Sequence, residues 1–357
     1  MTLILSNKNK TWFSGTLKME QSASQHTPSI DEYFKKVEDA AFEFNAKLEQ
    51  TDRTLRKNTI TIPDLETKQT VADAYWGMFE VVNAFEKRFP EQELSKYKAT
   101  FRAIVSPWLC RSKFFWRSLS KPHGYAGDFK IIDWMYDLEH SAGEDPTEPG
   151  IVNCLDFIFS TNHSVISLWD RRRWLKALLS DELKNKGALK ILDIACGGAR
   201  YIRDFLESAE DISNISITLL DQDPAALAFA ETVNLHKWSD QVVTICAPIK
   251  NLTQTIDVED FDIVISSGLF DYLDHETGSA MLSYLSTKVK EGGLLAITNY
   301  HIDDGSILSK DWSADWPLIF REDHHVEALF PESVLPTLTR SDNGSLIMAA
   351  GRKEPLR

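Results

Sequence analysis

The sequence is poor in cysteine, and its cysteines are not spaced as metal ligands. Four occur among the 357 residues: Cys110, Cys154, Cys196 and Cys246. Thiols this far apart, without a C-x-x-C pair, indicate a reducing compartment and argue against a disulfide framework or a zinc site. Histidine offers no better signature, because the adjacent His324 and His325 cannot both face one site from a helix. We therefore predict a cytoplasmic location and no bound metal.

Long apolar runs and an excess of positive charge are also absent. No run approaches the ~20 apolar residues that span a bilayer, and the first residues lack the apolar core of a signal peptide. The 53 acidic residues outnumber the 39 basic ones, which gives a formal net charge of -14. That average field repels DNA and acidic membranes. We expect a small-molecule partner rather than a nucleic acid or a membrane, and the oligomeric state stays open.

Helical periodicity fills the first half of the chain. Ser29 and Glu32 are spaced as a capping box, in which each side chain accepts from the backbone amide of the other residue. Behind it, apolar residues recur every three or four positions, as on one helix face: Phe34, Val37, Ala41, Phe44 and Leu48, then Val71, Tyr75, Met78, Val82, Phe85 and Phe89. A third helix is predicted over 94–105, ending near Pro107. These patterns predict a flexible N-terminus over 1–28 and a helical domain and lid over 29–150.

The second half alternates short apolar runs with helical stretches. The runs cover 189–195, 216–220, 241–247, 261–266 and 293–299. Strands that alternate with helices form parallel sheets with right-handed crossovers. We therefore predict a doubly wound, mostly parallel α/β domain over 151–357. Such sheets bind ligands at the carboxyl ends of their strands, near the point where the strand order reverses.

A run of small residues follows the first predicted strand. The segment from Asp193 to Ala199 reads DIACGGA, and small residues let a chain turn sharply and let a ligand approach the backbone. A dinucleotide fingerprint would need a glycine where Arg200 stands, so NAD fits poorly. The second strand ends at Asp221, whose carboxylate can accept from both hydroxyls of a ribose. Pro224 then suits the first turn of the next helix.

Three segments together resemble class I S-adenosylmethionine-dependent methyltransferases, whose domain is Rossmann-like. They are ILDIACGGARYI (191–202), LLDQDPAALAFA (219–230) and FDIVISSGLFDYL (261–273). The resemblance implies a set of cofactor-binding residues: Asp193, Ala195, Gly197 and Gly198 at the methionine end, Asp221 at the ribose, Gln222 beside the adenine, and Ser266, Ser267 and Gly268 around the sulfonium. The third family motif, here CAPI (246–249), lacks its usual acid. How the adenine is held therefore stays open.

A narrower resemblance extends over about 110–325. KPHGYAGD (121–128) with Tyr136, GLFDYL (268–273) and WPLIFR (316–321) are similar to a bacterial group that includes synthases of 3-hydroxy fatty acid methyl esters, which are quorum signals. The group is also similar to enzymes that cyclise S-adenosylmethionine to azetidine-2-carboxylate. The resemblance points to Tyr125, Asp128 and Tyr136 as catalytic candidates and to Phe270, Tyr272, Trp316 and Arg321 as substrate-binding candidates. Two further candidates follow the fifth predicted strand, on the ligand side of the sheet: Asn299 as catalytic and Tyr300 as substrate-binding.

Each of these candidates also has a structural interpretation. Asp128 is placed to cap a helix, Asn299 is equally a loop residue with a structural role, and Arg321 is more simply a solvated surface arginine. Aromatic residues as dense as Trp312, Trp316 and Phe320 belong to a core more often than to a pocket.

The predicted reaction is methyl transfer to a small molecule, with a carboxylate or acyl acceptor. A carboxylate is already anionic and needs no general base, and the loop after the fourth strand has no Asn-Pro-Pro-Tyr type motif for amine methylation. Two alternatives stay open. One is a cyclase in which the amino nitrogen of S-adenosylmethionine attacks its own γ-carbon. The other is a binding module without catalysis.

Overall fold

The computed structural model describes residues 29–256 and 260–355. The predicted flexible N-terminus, 1–28, lies outside these residues. The first helix begins with the predicted capping box, because the Ser29 hydroxyl accepts from the Glu32 amide at 3.3 Å and the Glu32 carboxylate accepts from the Ser29 amide at 2.5 Å. Among the helices described, none has the combination of length and apolarity that crossing a membrane requires.

The helices of the described chain have the following bounds: α1 Ile30–Lys57, α2 Leu65–Glu86, α3 Glu91–Leu109, α4 Lys113–Ser120, α5 Phe129–Ser141, α6 Gly150–Ser160, α7 His163–Lys186, α8 Arg200–Ser208, α9 Pro224–Phe229, α10 Leu252–Thr255, α11 His275–Lys288 and α12 Asp323–Glu327. The strands are β1 Leu189–Ile194, β2 Ile215–Asp221, β3 Val242–Cys246, β4 Phe261–Ser267, β5 Val289–Tyr300, β6 Val334–Arg340 and β7 Leu346–Lys353.

The predicted apolar faces of the first half form the core of a helical region that runs to Lys186. The faces of α1 and α2 are buried, except that Phe89 lies beyond α2 and is half-buried. Helix α3 continues past the predicted stop and holds Pro107 in its last turn. Helix α6, which the sequence assigned to the second domain, packs against α1 and α2 because its apolar residues join the helical core.

The second half forms the predicted sheet, with two further strands. Within the described residues, the strand order is β3-β2-β1-β4-β5-β7-β6. Strands β1 to β5 are parallel, and β7 pairs antiparallel with both β5 and β6. The prediction stopped at five strands, because β6 is a half-exposed edge strand that contains Pro336 and gives a weak signal. The doubly wound, mostly parallel fold is confirmed.

The strand order places the site. The chain proceeds outward from β1 through β2 and β3, and then returns to β4 on the other side of β1. The loops after β1 and β4 therefore diverge in opposite directions and leave a crevice at the carboxyl ends of these strands. Helices α7 and α8 pack on one face of the sheet and α11 on the other. The helical core reaches the sheet through Tyr300 at the end of β5, so the helical region borders the crevice.

Candidate active site

The turn after β1 has the backbone that its small residues predict. Ala195, Gly197 and Ala199 all have positive φ angles, of 54°, 54° and 52°. They stand at alternate positions of the run DIACGGA, and glycine is the residue that adopts this conformation without cost. An alanine in this conformation costs of the order of 1–2 kcal/mol. The turn nevertheless has positive φ angles at both Ala195 and Ala199. The backbone of the turn lines a cavity.

Asp221 fixes this turn to the end of β2. Its Oδ2 accepts from the Gly197 amide at 2.8 Å, and its Oδ1 accepts from the Asp223 amide at 2.9 Å. The side chain is 6% exposed and faces the same cavity. Burial raises the pKa of the Asp221 carboxyl, and the backbone amides that donate to it oppose that rise.

The cavity has a volume of about 330 Å³ and lies over the carboxyl ends of β1, β2 and β4. A volume of about 300–1,000 Å³ is typical of small-molecule sites. Its far wall is the 125–136 segment, which includes the start of α5, together with residues after β4 and β5. The predicted residues that line it are Tyr125, Tyr136, Ala195, Gly197, Gly198, Asp221, Gln222, Ser267, Gly268, Tyr272, Tyr300 and Trp316.

Asp193 lies behind the turn rather than in the cavity wall. It is fully buried, and the Tyr201 hydroxyl donates to its Oδ2 at 2.5 Å. Its Oδ1 is buried and has no hydrogen-bond partner within the described part of the chain. Burial raises the pKa of Asp193 to about 7, and the Tyr201 hydrogen bond limits the rise. The buried oxygen without a partner fits a positively charged ligand group held by the turn, directly or through water.

Asn299 and Arg321, predicted to have catalytic and substrate-binding roles, make internal hydrogen bonds and do not line the cavity. Asn299 is fully buried and donates to the carbonyls of Tyr300 and Ile319. The Arg321 guanidinium, 4% exposed, donates to Asn299 Oδ1 and to the carbonyls of Phe270 and Leu273. Its donors are used to satisfy backbone groups of the loop after β4. Arg321 is therefore not the solvated surface arginine that the sequence offered as its alternative.

Asp128 has the capping role that the sequence offered as its alternative. Its Oδ1 accepts from the amides of Lys130 and Ile131, each at 3.0 Å, and pairs with Arg117 Nε at 2.7 Å. It is fully buried and does not line the cavity. The cap sets where α5 begins, and α5 presents Phe129 and Tyr136 to the cavity.

Two further predicted residues belong to the protein core. Ser266 is fully buried, and its hydroxyl donates to the Ile194 carbonyl at 3.1 Å, which joins the ends of β4 and β1. Phe270, predicted to bind substrate, packs near Leu329 and Gly278 on the α11 side of the sheet. The loop turns at Gly268, with φ of 94°, and this turn sends Phe270 into the core while Tyr272 faces the cavity.

Aromatic side chains from the 125–136 segment and from the loops after β4 and β5 form part of the cavity wall. Trp316 Nε1 donates to the Tyr272 hydroxyl at 2.8 Å. Gly127 lies so close to the indole of Trp316 that a methyl group there would overlap it. Burial raises the pKa of both Tyr125 and Tyr272 far above the ordinary value. Both phenols therefore keep their protons near pH 7, and the Tyr272 hydroxyl accepts the hydrogen bond from Trp316.

The structure adds site residues that the sequence did not single out. Asp271 lines the cavity, accepts from the Tyr300 amide at 2.7 Å, and has a pKa raised by burial to about 6. Arg171, from α7, also lines the cavity. Arg200, whose size argued against NAD, pairs with Asp133 of α5 at 2.9 Å. That ion pair joins the 125–136 segment to the turn after β1.

A possible ligand cluster for a metal lies outside the cavity. The exposed residues Glu322, His324 and His325 place one potential ligand atom each within 4.8 Å of the others. The sequence predicted that adjacent histidines could not converge, but the helix there, α12, spans five residues and its histidine rings lie 3.9 Å apart. None of these three residues lines the cavity.

Comparison with known proteins identifies a domain in the second half of the chain. Residues 191–293 match the family described as a methyltransferase domain. The match contains the turn after β1, Asp221 and the loop after β4. It confirms the predicted transferase domain and, with it, S-adenosylmethionine as the cofactor. No curated protein matches the chain.

Solved structures resemble parts or most of the chain at low sequence identity. A protein from Bordetella parapertussis, described as a possible exported protein, is 13% identical with a TM-score of 0.54 over 94% of this chain and 100% of that one. The N-methyltransferase NodS from Bradyrhizobium japonicum, with S-adenosylhomocysteine, is 15% identical over 51% of this chain and 87% of that one, with a TM-score of 0.39. The magnesium protoporphyrin IX methyltransferase from Synechocystis is 12% identical over 53% and 86%, with a TM-score of 0.41. The first likeness covers the helical region as well as the sheet.

Proposed function

We propose that the chain transfers the methyl group of S-adenosylmethionine to a small molecule that carries a carboxylate or acyl group. The observation behind this proposal is the single cavity that contains the turn after β1 and Asp221 together with an aromatic end formed by Tyr272 and Trp316. A cofactor lying along the turn would direct its sulfonium toward that aromatic end.

The residues around the turn suit the adenosyl part of the cofactor. The inward-facing Asp221 carboxylate can accept from both ribose hydroxyls, because its two oxygens are oriented by the amides of Gly197 and Asp223. Gln222 and Ile249 line the same end, and Ile249 offers an apolar surface to the adenine. This contact would replace the acid that the third family motif lacks.

The aromatic end suits the reacting centre. When bound, S-adenosylmethionine supplies an electrophilic methyl group on a sulfonium. Aromatic rings attract such a cation through their π faces, and the 125–136 segment shields the centre from water. The residues of this chain then have one main task, which is to align the acceptor with the carbon–sulfur bond.

The pKa values of the tyrosines in the site support an acceptor that is already anionic when it binds. Tyr125 and Tyr272 keep their protons near neutral pH, so neither can deprotonate an acceptor. Asp271 is the carboxylate at this end, and its Oδ1 holds the Tyr300 amide. A carboxylate acceptor needs no proton removal, whereas an alcohol or amine acceptor would need Asp271 as its base.

The test is product identification with matched acceptors. The purified chain is incubated with S-adenosylmethionine and a 3-hydroxy fatty acid, its amide, or no acceptor, and the products are separated by mass. S-adenosylhomocysteine together with the methyl ester, formed with the acid alone, is the expected result. If methylthioadenosine forms without an acceptor, methyl transfer is contradicted and the cyclase alternative is supported. Tight binding of S-adenosylmethionine without turnover on any acceptor would favour the binding module.

An Asp271→Asn variant separates the acceptor classes. If the acceptor is a carboxylate, we expect this variant to keep most of the rate of ester formation. A loss of about 100-fold or more, which is typical when a general base is removed, would contradict the carboxylate proposal and point to an alcohol or amine acceptor. Asp240→Asn, an exposed acid-to-amide change, is the matched control.

A further inference from the structure

Three consecutive arginines on α7 have different surroundings. Arg172 pairs with Glu139 and with Asp204, each at 3.1 Å. Arg173 is half exposed and pairs with Glu139 and with Asp170. Arg171 is 6% exposed and lines the cavity. Of the three, it is the buried guanidinium that forms no ion pair with any residue in the described ranges.

The contacts of Arg171 leave most of its donors without a partner in the described part of the chain. Its Nη2 donates to the Tyr136 hydroxyl at 2.7 Å, and its Nε is buried without a partner in the part of the chain that the structure describes. A guanidinium has five N–H donors, so most of them have no protein acceptor here. Burying an unpaired charge is costly, and buried cations are therefore normally paired with an anion.

Neighbouring acids balance the charge only at a distance. Burial raises the pKa of both Asp193 and Asp271, and the charge of Arg171 opposes part of that rise, but neither carboxylate forms an ion pair with it. Gly268 lies beside the guanidinium, since a Cβ there would be 3.2 Å from Nη1. The absence of a side chain at Gly268 keeps the guanidinium close to the end of β4, where the sulfonium of a bound cofactor is expected.

We propose that Arg171, oriented by the Tyr136 hydroxyl, binds a carboxylate in the cavity. This inference rests on the proposed function. The carboxylate has two possible sources, which are the methionine part of S-adenosylmethionine and the acceptor. Arginine matches both chemically, because its planar fork can donate two parallel hydrogen bonds to one carboxylate.

Calorimetry on matched variants tests this site without measuring activity. The variants are Arg171→Gln, Arg171→Lys and Tyr136→Phe, with Arg173→Gln as the exposed neighbouring control. The cofactor probes are S-adenosylmethionine, decarboxylated S-adenosylmethionine and methylthioadenosine. The acceptor probes are hexanoate and hexanamide, added to protein saturated with S-adenosylhomocysteine. Binding of methylthioadenosine, which has no carboxylate, shows that each variant still folds its adenosyl site.

The two sources give different patterns. If Arg171 binds the methionine carboxylate, Arg171→Gln weakens the affinity for S-adenosylmethionine by about tenfold or more. Its affinity for the decarboxylated analogue is then unchanged. If Arg171 binds the carboxylate of the acceptor, the affinity of Arg171→Gln for S-adenosylmethionine equals that of wild type. The variant then lacks the wild-type preference for hexanoate over hexanamide. In either case Arg171→Lys loses less affinity than Arg171→Gln, because lysine keeps the positive charge but cannot donate two parallel hydrogen bonds. Tyr136→Phe also gives a smaller loss of affinity than Arg171→Gln.

Equal affinities of wild type and Arg171→Gln for all of these probes would overturn the carboxylate site while leaving the proposed function intact. Failure of wild type to bind methylthioadenosine or S-adenosylmethionine at all would count against both. The two proposals can therefore fail separately.

Discussion

The Oδ2 atom of Asp221 accepts a hydrogen bond from the backbone amide of Gly197 at 2.8 Å. This contact ties the end of β2 to the turn after β1. One carboxylate therefore holds the shape of the turn and also presents an acceptor to the cavity. Because of this double task, substitutions at Asp221 affect stability as well as cofactor binding.

We expect Asp221→Asn to weaken S-adenosylmethionine binding by about tenfold or more, since a hydrogen bond to a charged group contributes about 1.5–3 kcal/mol. The amide can accept through one oxygen but must direct its NH₂ group at a backbone donor or a ribose hydroxyl. The free energy of unfolding should fall by about 1–2 kcal/mol for the same reason. Calorimetry and urea unfolding measure the two effects. Asp240→Asn should change neither, and unchanged cofactor affinity in Asp221→Asn would refute the ribose assignment.

The raised pKa of Asp193 predicts a pH dependence of stability. Because folding raises this pKa from 3.8 to about 7, the protonated carboxyl is favoured in the folded state. Its contribution to stability is fully present below about pH 4 and is lost as the pH rises through 7. Asp193→Asn mimics the neutral form and can still accept from Tyr201. The variant should therefore become more stable relative to wild type between pH 4 and pH 7, as measured by urea unfolding across this range.

The same group predicts a pH-dependent affinity for the cofactor. Ionised Asp193 attracts the positively charged methionine end, so wild-type affinity should rise with pH through about 7 more steeply than that of Asp193→Asn. The amino group of S-adenosylmethionine titrates in both proteins, and comparing them removes its contribution. If the affinities of wild type and Asp193→Asn for S-adenosylmethionine depend on pH in the same way, the charge of Asp193 does not contribute to cofactor binding.

Gly127→Ala tests whether the 125–136 segment must pack on Trp316. A methyl group at Gly127 would overlap the indole, so either the segment or Trp316 must move. We expect weaker cofactor binding and a change in tryptophan fluorescence that Gly127→Ala shares with Tyr272→Phe, which removes the acceptor of the indole hydrogen bond.

Gly77→Ala is the matched control for this substitution. Gly77 lies within α2 and has open space where its Cβ would be, so alanine there should leave binding unchanged and stabilise the helix slightly. Cofactor affinity that is equal in Gly127→Ala and Gly77→Ala would show that contact with Trp316 does not matter for binding.

Arg321→Gln should act on stability rather than on acceptor recognition. The substitution leaves the buried carbonyl of Phe270 and the partly buried carbonyl of Leu273 without these donors, and an unsatisfied buried group costs about 1–3 kcal/mol. We expect a loss of about 2–4 kcal/mol in urea unfolding. Affinity for S-adenosylmethionine in the folded fraction should be nearly unchanged. The exposed Arg53→Gln should stay within about 0.5 kcal/mol of wild type, and an acceptor-specific defect in Arg321→Gln would restore the substrate-binding role.

Local sequence patterns predicted much of the fold and the cofactor end of the site. The five parallel strands, the turn from Asp193 to Ala199 and Asp221 at the end of β2 could all be predicted. In each case the signal is carried by residues close together in the chain, where strand alternation, small residues and a terminal acid determine the local geometry. The Asp128 cap was foreseen as well, because a cap is defined by residues that follow within one turn.

The tertiary structure decided which polar residues are buried and what they contact. Arg321 donates a hydrogen bond to Phe270, which lies 51 positions earlier in the chain, and Arg171 donates one to Tyr136, which lies 35 positions earlier. No local pattern distinguishes Arg171 from Arg172 and Arg173, because the three are consecutive and identical. Packing of α7 against the cavity assigns one of them to the site and leaves the others to ion pairs outside it. Burial and hydrogen-bond partners depend on segments distant in sequence, so the acceptor end of the site could not be predicted from the sequence alone.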